Sequence, residues 1–148
     1  MSKPLFRERL FPSLGVHLAL ALSAPMVYLA ALPISSALAA VLGMAVPILL
    51  VLLANLMAPV IELSHEDLRA GRMTVPLSAV GEATAFSGDE ARLQRGPQLS
   101  PNAQKLFRGD IDGVIRIEIK DPEDPTDYLL ISSRRAGELA RALGANRT

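Results

Sequence analysis

Two short clusters contain the side chains best suited to bind a metal ion. His65, Glu66 and Asp67 are consecutive, and the segment 121–127 contains four carboxylates. A zinc site needs three or four converging ligands, and a calcium-binding EF-hand loop needs a central Gly and a terminal Glu that 121–127 lacks. Both clusters also have the composition of solvated turns, and two prolines stiffen the second. We therefore predict two turns, with no metal and no other cofactor.

Basic side chains form two further groups of candidates. Five lie near the ends of a long apolar run and are predicted to lie at a membrane surface: Lys3, Arg7, Arg9, Arg69 and Arg72. Arg134 and Arg135 precede a predicted helix and are weaker candidates for contact with a protein partner or an anion, because an exposed pair beside a helix needs no ligand to explain it. The residues after the run contain 12 basic and 14 acidic side chains. That balance argues against binding of nucleic acid.

Residue types that carry catalysis are scarce. The chain has no Cys, which excludes a disulfide framework, a thiolate zinc site and a Cys nucleophile. It contains no nucleophile elbow, no P-loop and no Rossmann glycine pattern. We therefore predict that the protein is not an enzyme.

The apolar run is the most informative feature of the chain. No Asp, Glu, Lys or Arg occurs between Arg9 and Glu62, a stretch of 52 residues. A membrane-spanning helix needs about 20 apolar residues, so this stretch predicts two spans, 13–32 and 36–57, joined by a short turn. The domain boundaries that follow are a basic N-terminal segment over 1–12, a transmembrane hairpin over 13–58 and a separate domain over 59–148.

Orientation and packing of the hairpin follow from its charges and its small residues. A cleaved signal peptide is the alternative, but its apolar region spans only about 7 to 15 residues. Basic residues precede the first span and follow the second, so both termini are predicted to be cytoplasmic, in a multi-pass protein of the cell membrane. Small residues allow helices to approach closely within the hairpin or between two copies of the chain, although an Ala-rich segment contains such spacings by chance. They are Gly15, Ala19 and Ser23 in the first helix, and Ala39 and Gly43 in the second.

After the hairpin, alternating apolar residues predict short strands. The predicted strands are 60–64, 68–70, 73–75, 80–86, 105–108, 114–120 and 128–132. A helical turn is predicted over 89–93 within a long loop, and a closing helix over 136–143, with Leu139 on its buried face and Arg141 exposed. The fold class is therefore an α+β membrane protein with a small antiparallel β domain. We expect residues 60–148 to fold alone.

Two resemblances refine this interpretation. Up to seven strands followed by one helix resemble the pleckstrin-homology (PH) superfold, so the domain resembles a small bacterial PH-like domain. Specific motifs are similar to those of a family of short actinobacterial membrane proteins of unknown function: Arg7-Glu8-Arg9-Leu10, Leu68-Arg69-Ala70-Gly71-Arg72, Arg95-Gly96-Pro97, Asp121-Pro122-x-Asp124-Pro125 and Ser132-Ser133-Arg134-Arg135. Two departures are Leu129, where an aromatic residue is expected, and Ala136, where a proline is. The family implies a topology but no catalytic residue.

The function that the sequence favours is a scaffold. It predicts a non-enzymatic integral membrane protein that anchors a PH-like interaction domain at the cytoplasmic face, where the domain binds a protein partner. The alternative is a module at the membrane surface that binds a small ligand or a lipid headgroup. Possible partners are therefore the lipid bilayer, an unidentified protein and a second copy of the chain through the transmembrane helices.

Overall fold

The computed structural model describes residues 3–145 and divides into two compact units. The helical unit is Phe11–Ala58, and the β unit combines Met1–Leu10 with Pro59–Thr148. The β unit is therefore discontinuous in sequence.

The helical unit contains three helices: α1 (Leu14–Ala21), α2 (Ser23–Ala31) and α3 (Ser36–Leu56). A serine caps the start of each apolar stretch. The Ser13 hydroxyl accepts the backbone N–H of Val16, and the Ser35 hydroxyl accepts that of Leu38, as helix N-caps do. The stretch Leu14–Ala31 and helix α3 are long and apolar enough to cross a membrane, and only 6% and 17% of their residues are buried. They are therefore unlike the core helices of a soluble protein, which are mostly buried.

Close packing in the helical unit involves one of the two predicted stripes of small residues. Ala39 and Gly43 on α3 are buried, and a Cβ added at Gly43 would lie 3.3 Å from the Cβ of Tyr28 on α2. On α1, in contrast, Gly15 and Ala19 are exposed. The helices therefore approach each other through the α3 stripe and a different face of the first apolar stretch.

A polar contact also joins α1 to α3. Nδ1 of His17 is 2.8 Å from the carbonyl oxygen of Ser13, and because a carbonyl only accepts, that nitrogen carries the proton. Nε2 of His17 then accepts from the side-chain amide of Asn55 at 3.0 Å, and the same amide nitrogen donates to the carbonyl of Val51 at 2.7 Å. The only two large polar side chains near the ends of these helices thus satisfy each other.

The first sheet of the β unit contains four antiparallel strands in sequence order: β1 (Phe6–Arg9), β2 (Val60–Leu63), β3 (Asp67–Ala70) and β4 (Met73–Pro76). The three later strands confirm the predicted ones within one residue. Strand β1 was not predicted, and it corrects the boundary that treated 1–12 as a separate segment. In β1, Phe6 pairs with Leu63 and Arg9 with Val60.

The helical unit is inserted into the hairpin that β1 and β2 form. The backbone N–H of Leu10 donates to the carbonyl of Pro59 at 2.9 Å, which extends the β1–β2 ladder to the point where the chain leaves and returns. Leu10 itself is fully buried in the main core. The ends of the 48-residue insertion, Phe11–Ala58, are therefore held side by side by the β unit.

The second sheet comes from a continuous segment. Its strands are β5 (Val80–Phe86), β6 (Gln104–Leu106), β7 (Val114–Ile119) and β8 (Tyr128–Ser132), in the order β5-β7-β8-β6. All pairs are antiparallel except β6 with β8, which are parallel, so the purely antiparallel prediction is corrected at one edge. Helix α4 (Gly88–Arg95) is longer than the predicted turn, and α5 (Ala136–Ala145) extends two residues beyond its predicted end.

One main core joins the two sheets and α5. Its fully buried members include Ile61 and Leu63 of the first sheet, Ile117 of the second and Leu139 of α5. A smaller core on the other face of the second sheet is formed by Ala91, Ala103, Val114, Tyr128 and Leu130. Because both faces of β8 are covered, all five of its residues are buried, and its sequence is continuously apolar until Ser132.

Candidate functional site: the contact between the first strand and the last helix

A buried carboxylate on β1 is the centre of the candidate site. Side chains on β1 alternate, so Phe6 and Glu8 point into the β unit and Arg7 and Arg9 point outward. Glu8 is only 7% exposed, which is unusual for a carboxylate unless it is paired or hydrogen-bonded. The partners of Glu8 therefore decide what this site can do.

Glu8 binds the segment that leads into α5. Its carboxylate accepts hydrogen bonds from the hydroxyl of Ser133 and, at 2.9 Å, from the backbone N–H of Arg134. The Ser133 hydroxyl oxygen also accepts the backbone N–H of Arg135 at 3.0 Å. A carboxylate in front of a helix N-terminus satisfies unpaired N–H groups and interacts favourably with the helix dipole. The chain thus supplies its own anion at this position.

Arg135 reinforces the same contact. Its Nη1 donates to the carbonyl of Arg7 at 3.3 Å, and its guanidinium carbon lies 4.8 Å from the centroid of the Phe6 ring, within range of a cation–π interaction. Its Nε donates to Glu138 at 3.0 Å. This hydrogen bond lowers the pKa of Glu138 and raises that of Arg135. We call Glu8, Ser133, Arg134 and Arg135, together with the backbone of Arg7, the β1–α5 contact.

The side chain of Arg134 forms an ion pair with a second carboxylate. Its Nη2 lies 3.6 Å from Asp110, whose other oxygen is 3.3 Å from Nε of Arg108. The backbone N–H of Arg108 in turn donates to the Ser132 hydroxyl at 3.0 Å. The two predicted candidates for an anion or a partner, Arg134 and Arg135, are therefore both engaged with carboxylates of the chain itself.

The five predicted membrane-surface residues lie in two places. The four arginines lie on or beside the outward face of the first sheet, and Lys3 lies at its opposite end. Arg7 and Arg69 both flank Glu62 across the outward face of the first sheet, in a row that continues to Thr74. Arg9 is at the end of the same face where the chain leaves for the helical unit, and Arg72 is in the β3–β4 turn. Lys3 is at the opposite end, because it precedes Leu5, whose N–H donates to Leu63.

That β3–β4 turn is close to the point where the chain returns. Gly71 has a φ of +61°, a left-handed conformation that favours glycine, and its N–H donates to the carbonyl of Val60 at 3.0 Å. A Cβ added at Gly71 would lie 3.7 Å from the Cβ of Pro59. Arg72 therefore follows a residue that is hydrogen-bonded to Val60, next to the point where the chain returns from the helical unit. We call Arg7, Arg9, Arg69 and Arg72 the arginine face.

Both acidic clusters of the sequence form turns. The Ser64 hydroxyl donates to the Asp67 carboxylate at 2.7 Å, which lowers the pKa of Asp67. Asp124 accepts the backbone N–H of Thr126 at 2.9 Å, and its hydrogen bonds with Thr126 lower its pKa. Asp121 accepts the N–H of Glu123 at 3.0 Å. Within residues 3–145, no group of three or more His, Asp or Glu is placed to hold a metal ion.

A cavity of about 280 Å³ adjoins the N-terminal end of α5, between Phe86, Gly113 and Arg134. Gly113 approaches the carbonyl oxygen of Ser133 so closely that an added Cβ would lie 2.5 Å from it. The only ionisable side chain in its lining is that of Arg134, so the lining contains no acid–base pair.

Sequence reasoning missed Glu8 and Asp110. Glu8 was grouped with the basic segment around it, but the pattern Phe6-Arg7-Glu8-Arg9-Leu10 alternates with the period of a strand, and this signal could have placed Glu8 inward. The local sequence of Asp110 includes Arg108 but does not predict its second partner, because Arg134 comes 24 positions later.

Comparison with known proteins adds a family and nothing more specific. The chain matches, over residues 5–143, a family described as "Protein of unknown function (DUF3093)". No curated protein matches the chain. No solved structure matches it either.

Proposed function

The chain belongs to the DUF3093 family of proteins of unknown function, and we propose that it is a non-enzymatic integral membrane protein. Two spans anchor a PH-like domain at the cytoplasmic face of the cell membrane, where the domain binds a protein partner. The observation that carries this proposal is the insertion of an apolar helical unit between two paired strands.

The paired strands support a two-span topology. Because Leu10 and Pro59 are joined by a backbone hydrogen bond, both ends of the insertion are on one side of any membrane it enters. An insertion of this kind crosses the bilayer an even number of times. At 1.5 Å per residue, the 18-residue and 21-residue apolar stretches are about 27 and 32 Å long, which matches the hydrocarbon thickness of about 30 Å.

The arrangement of the β unit supports the PH-like assignment. A four-stranded antiparallel sheet is followed by a second sheet, and a C-terminal helix packs onto the core between them. The described residues form eight strands, one more than the seven-strand-and-helix order, and helix α4 is a further addition. The fold by itself does not define a ligand.

The side chains of the candidate site support a binding role over catalysis. The carboxylates of Glu8, Asp110 and Glu138 all contact serine or arginine groups of the same chain, as described above. For a protein partner, β4 offers a sheet edge, since it is the last strand of the first sheet. A partner strand added there would form main-chain hydrogen bonds, although Pro76 lacks one donor.

Reporter fusions test the topology. Fusions at residues 4 and 148 should both give a cytoplasmic signal, and one inserted at Ser35, in the turn between the apolar stretches, should give an external signal. A cytoplasmic signal at Ser35 would contradict the hairpin.

Purification in mild detergent followed by mass spectrometry tests the role. A stoichiometric protein that is retained with the full chain supports the scaffold. Retention of a lipid or small ligand without such a protein favours the alternative, a module that binds a small ligand or a lipid headgroup.

A further inference from the structure

We propose that the arginine face binds the headgroups of anionic phospholipids and so holds the first sheet at the membrane surface. This inference rests on the membrane anchoring proposed above. It goes beyond that anchoring because it assigns one face of the β unit to one class of ligand.

Charge is concentrated on this face. It contains four arginines and two carboxylates, because Asp67 lies on the same side of β3 as Arg69 and Glu62 lies between Arg7 and Arg69. Its net charge is therefore +2. The whole chain is neutral, which leaves a net charge of −2 on the remaining residues. An anionic surface therefore attracts this face and repels the rest of the β unit.

The guanidinium groups on this face are accessible. Arg7, Arg9, Arg69 and Arg72 are all exposed, and the side chain of Arg69 is 64% exposed even though it contacts Asp67. Among the described residues, no hydrogen bond or ion pair involves the side chains of Arg7 and Arg72. These two differ from Arg134 and Arg135, whose guanidinium groups contact carboxylates of the chain.

Chain connectivity brings the face close to the bilayer. A chain advances at most about 3.6 Å per residue, so Pro59 lies within about 11 Å of Leu56, the last residue of α3. The backbone N–H of Gly71 donates to the carbonyl of Val60, the residue after Pro59, and Arg72 follows Gly71. The field of an anionic surface decays over about 8 Å at physiological ionic strength. Arg72 and Arg9 are therefore the arginines most strongly attracted, and Arg7 and Arg69 come next along the sheet.

Lipid nanodiscs containing the full chain test the proposal. Because the chain has no Cys, a single polarity-sensitive dye can be placed by Thr74→Cys, in the row of Arg7 and Arg69. The matched control is Thr84→Cys, an exposed threonine of the second sheet that pairs with Arg116. The measurement is quenching of each dye by neutral acrylamide, in discs of phosphatidylcholine alone and in discs that also contain phosphatidylglycerol.

We expect phosphatidylglycerol to reduce quenching at position 74 several-fold and to leave quenching at position 84 unchanged. Salt at about 1 M, where the screening length is about 3 Å, should remove the difference. The variant Arg7→Gln with Arg72→Gln should weaken the lipid-dependent association about 25-fold, roughly fivefold for each arginine. The variant Glu62→Gln removes one of the two negative charges of the face and should strengthen the association.

Two results would overturn the proposal. One is equal quenching at position 74 in both kinds of disc, and the other is equal shielding at positions 74 and 84. If the chain fails to remain in the discs at all, the membrane anchoring is contradicted instead, so the two failures are distinguishable.

Discussion

The two sheets of the β unit are built from the sequence in different ways. The second sheet takes all four strands from one continuous segment, 80–132, whereas the first takes β1 from before the helical unit and β2 to β4 from after it. Both sheets share one main core. The second sheet can therefore form from nearby residues, but the first is complete only when the chain has passed through the whole apolar insertion and returned.

Removing β1 should break the first sheet, and this is the largest effect we expect. A fragment of residues 59–148 loses the burial of Phe6 and Leu10, worth about 1.5–3 kcal/mol each, and the Glu8 hydrogen bonds. It also leaves one edge of β2 unpaired. Against a typical total of about 5–15 kcal/mol, such a fragment should aggregate or remain largely unfolded. The structure therefore favours the opposite outcome to the sequence-based expectation that 60–148 folds alone, and this fragment tests both.

The control for this fragment is a protein that retains β1. It joins residues 3–10 to 59–148 through a short glycine linker in place of the helical unit. Since Leu10 and Pro59 are already hydrogen-bonded neighbours, this protein should fold, with mixed strand and helix in its circular dichroism spectrum. Equal folding of the two proteins would show that β1 is dispensable. The different origins of the two sheets in the sequence would then have no effect on stability.

Leu139→Asp tests the side of the core that α5 covers. Leu139 is fully buried, and an unpaired charge there should cost several kcal/mol. The exposed Arg141→Asp variant should change stability by about 0.5 kcal/mol or less. Thermal melting of the linked β unit measures both. If the two variants melt alike, α5 does not stabilise the core.

Glu8→Ala tests the connection between the sheets, because Glu8 lies on a strand of the first and α5 packs against β5 and β7 of the second. The variant leaves the Ser133 hydroxyl and the Arg134 N–H without their acceptor, at a cost of about 1–3 kcal/mol. Glu62→Gln, on the outward face of the adjacent strand, should cost much less. A Glu8→Ala protein as stable as Glu62→Gln would show that the β1–α5 contact does not join the two sheets energetically.

Acid should remove the small contribution of the Arg135–Glu138 pair to stability. This is the smallest effect that we expect. Arg135 keeps the folded-state pKa of Glu138 below its unfolded value, so the pair stabilises the fold above that unfolded value. The contribution is lost as the pH falls below about 4 and through the folded pKa. Melting temperatures of the parent and Glu138→Gln proteins should converge at low pH. A constant difference from pH 7 to pH 3 would contradict the pair's contribution.

The sequence predicted the local elements well and the distant connections poorly. Strands 80–86 and 128–132 were predicted with their exact bounds because alternation and turn residues are local signals. Strand β1 was missed because its four residues contain three charges and their partner strand begins at Val60. The positions of Arg134 and Arg135 were predicted, but the hydrogen bonds of Glu8 with the Ser133 hydroxyl and the Arg134 N–H were not, since Glu8 precedes these residues by more than 120 positions.

The closure between Leu10 and Pro59 also sets the order of events during synthesis. At about 5–20 residues per second, β1 leaves the ribosome several seconds before β2 exists, and Ser133 follows later still. In the proposed topology, β1 can pair only if both apolar helices have entered the bilayer and the chain has come back to the same side. A chain with only one span inserted presents an unpaired β1 and an incomplete core. In the proposed topology, folding of the β unit would thus depend on complete insertion of both spans.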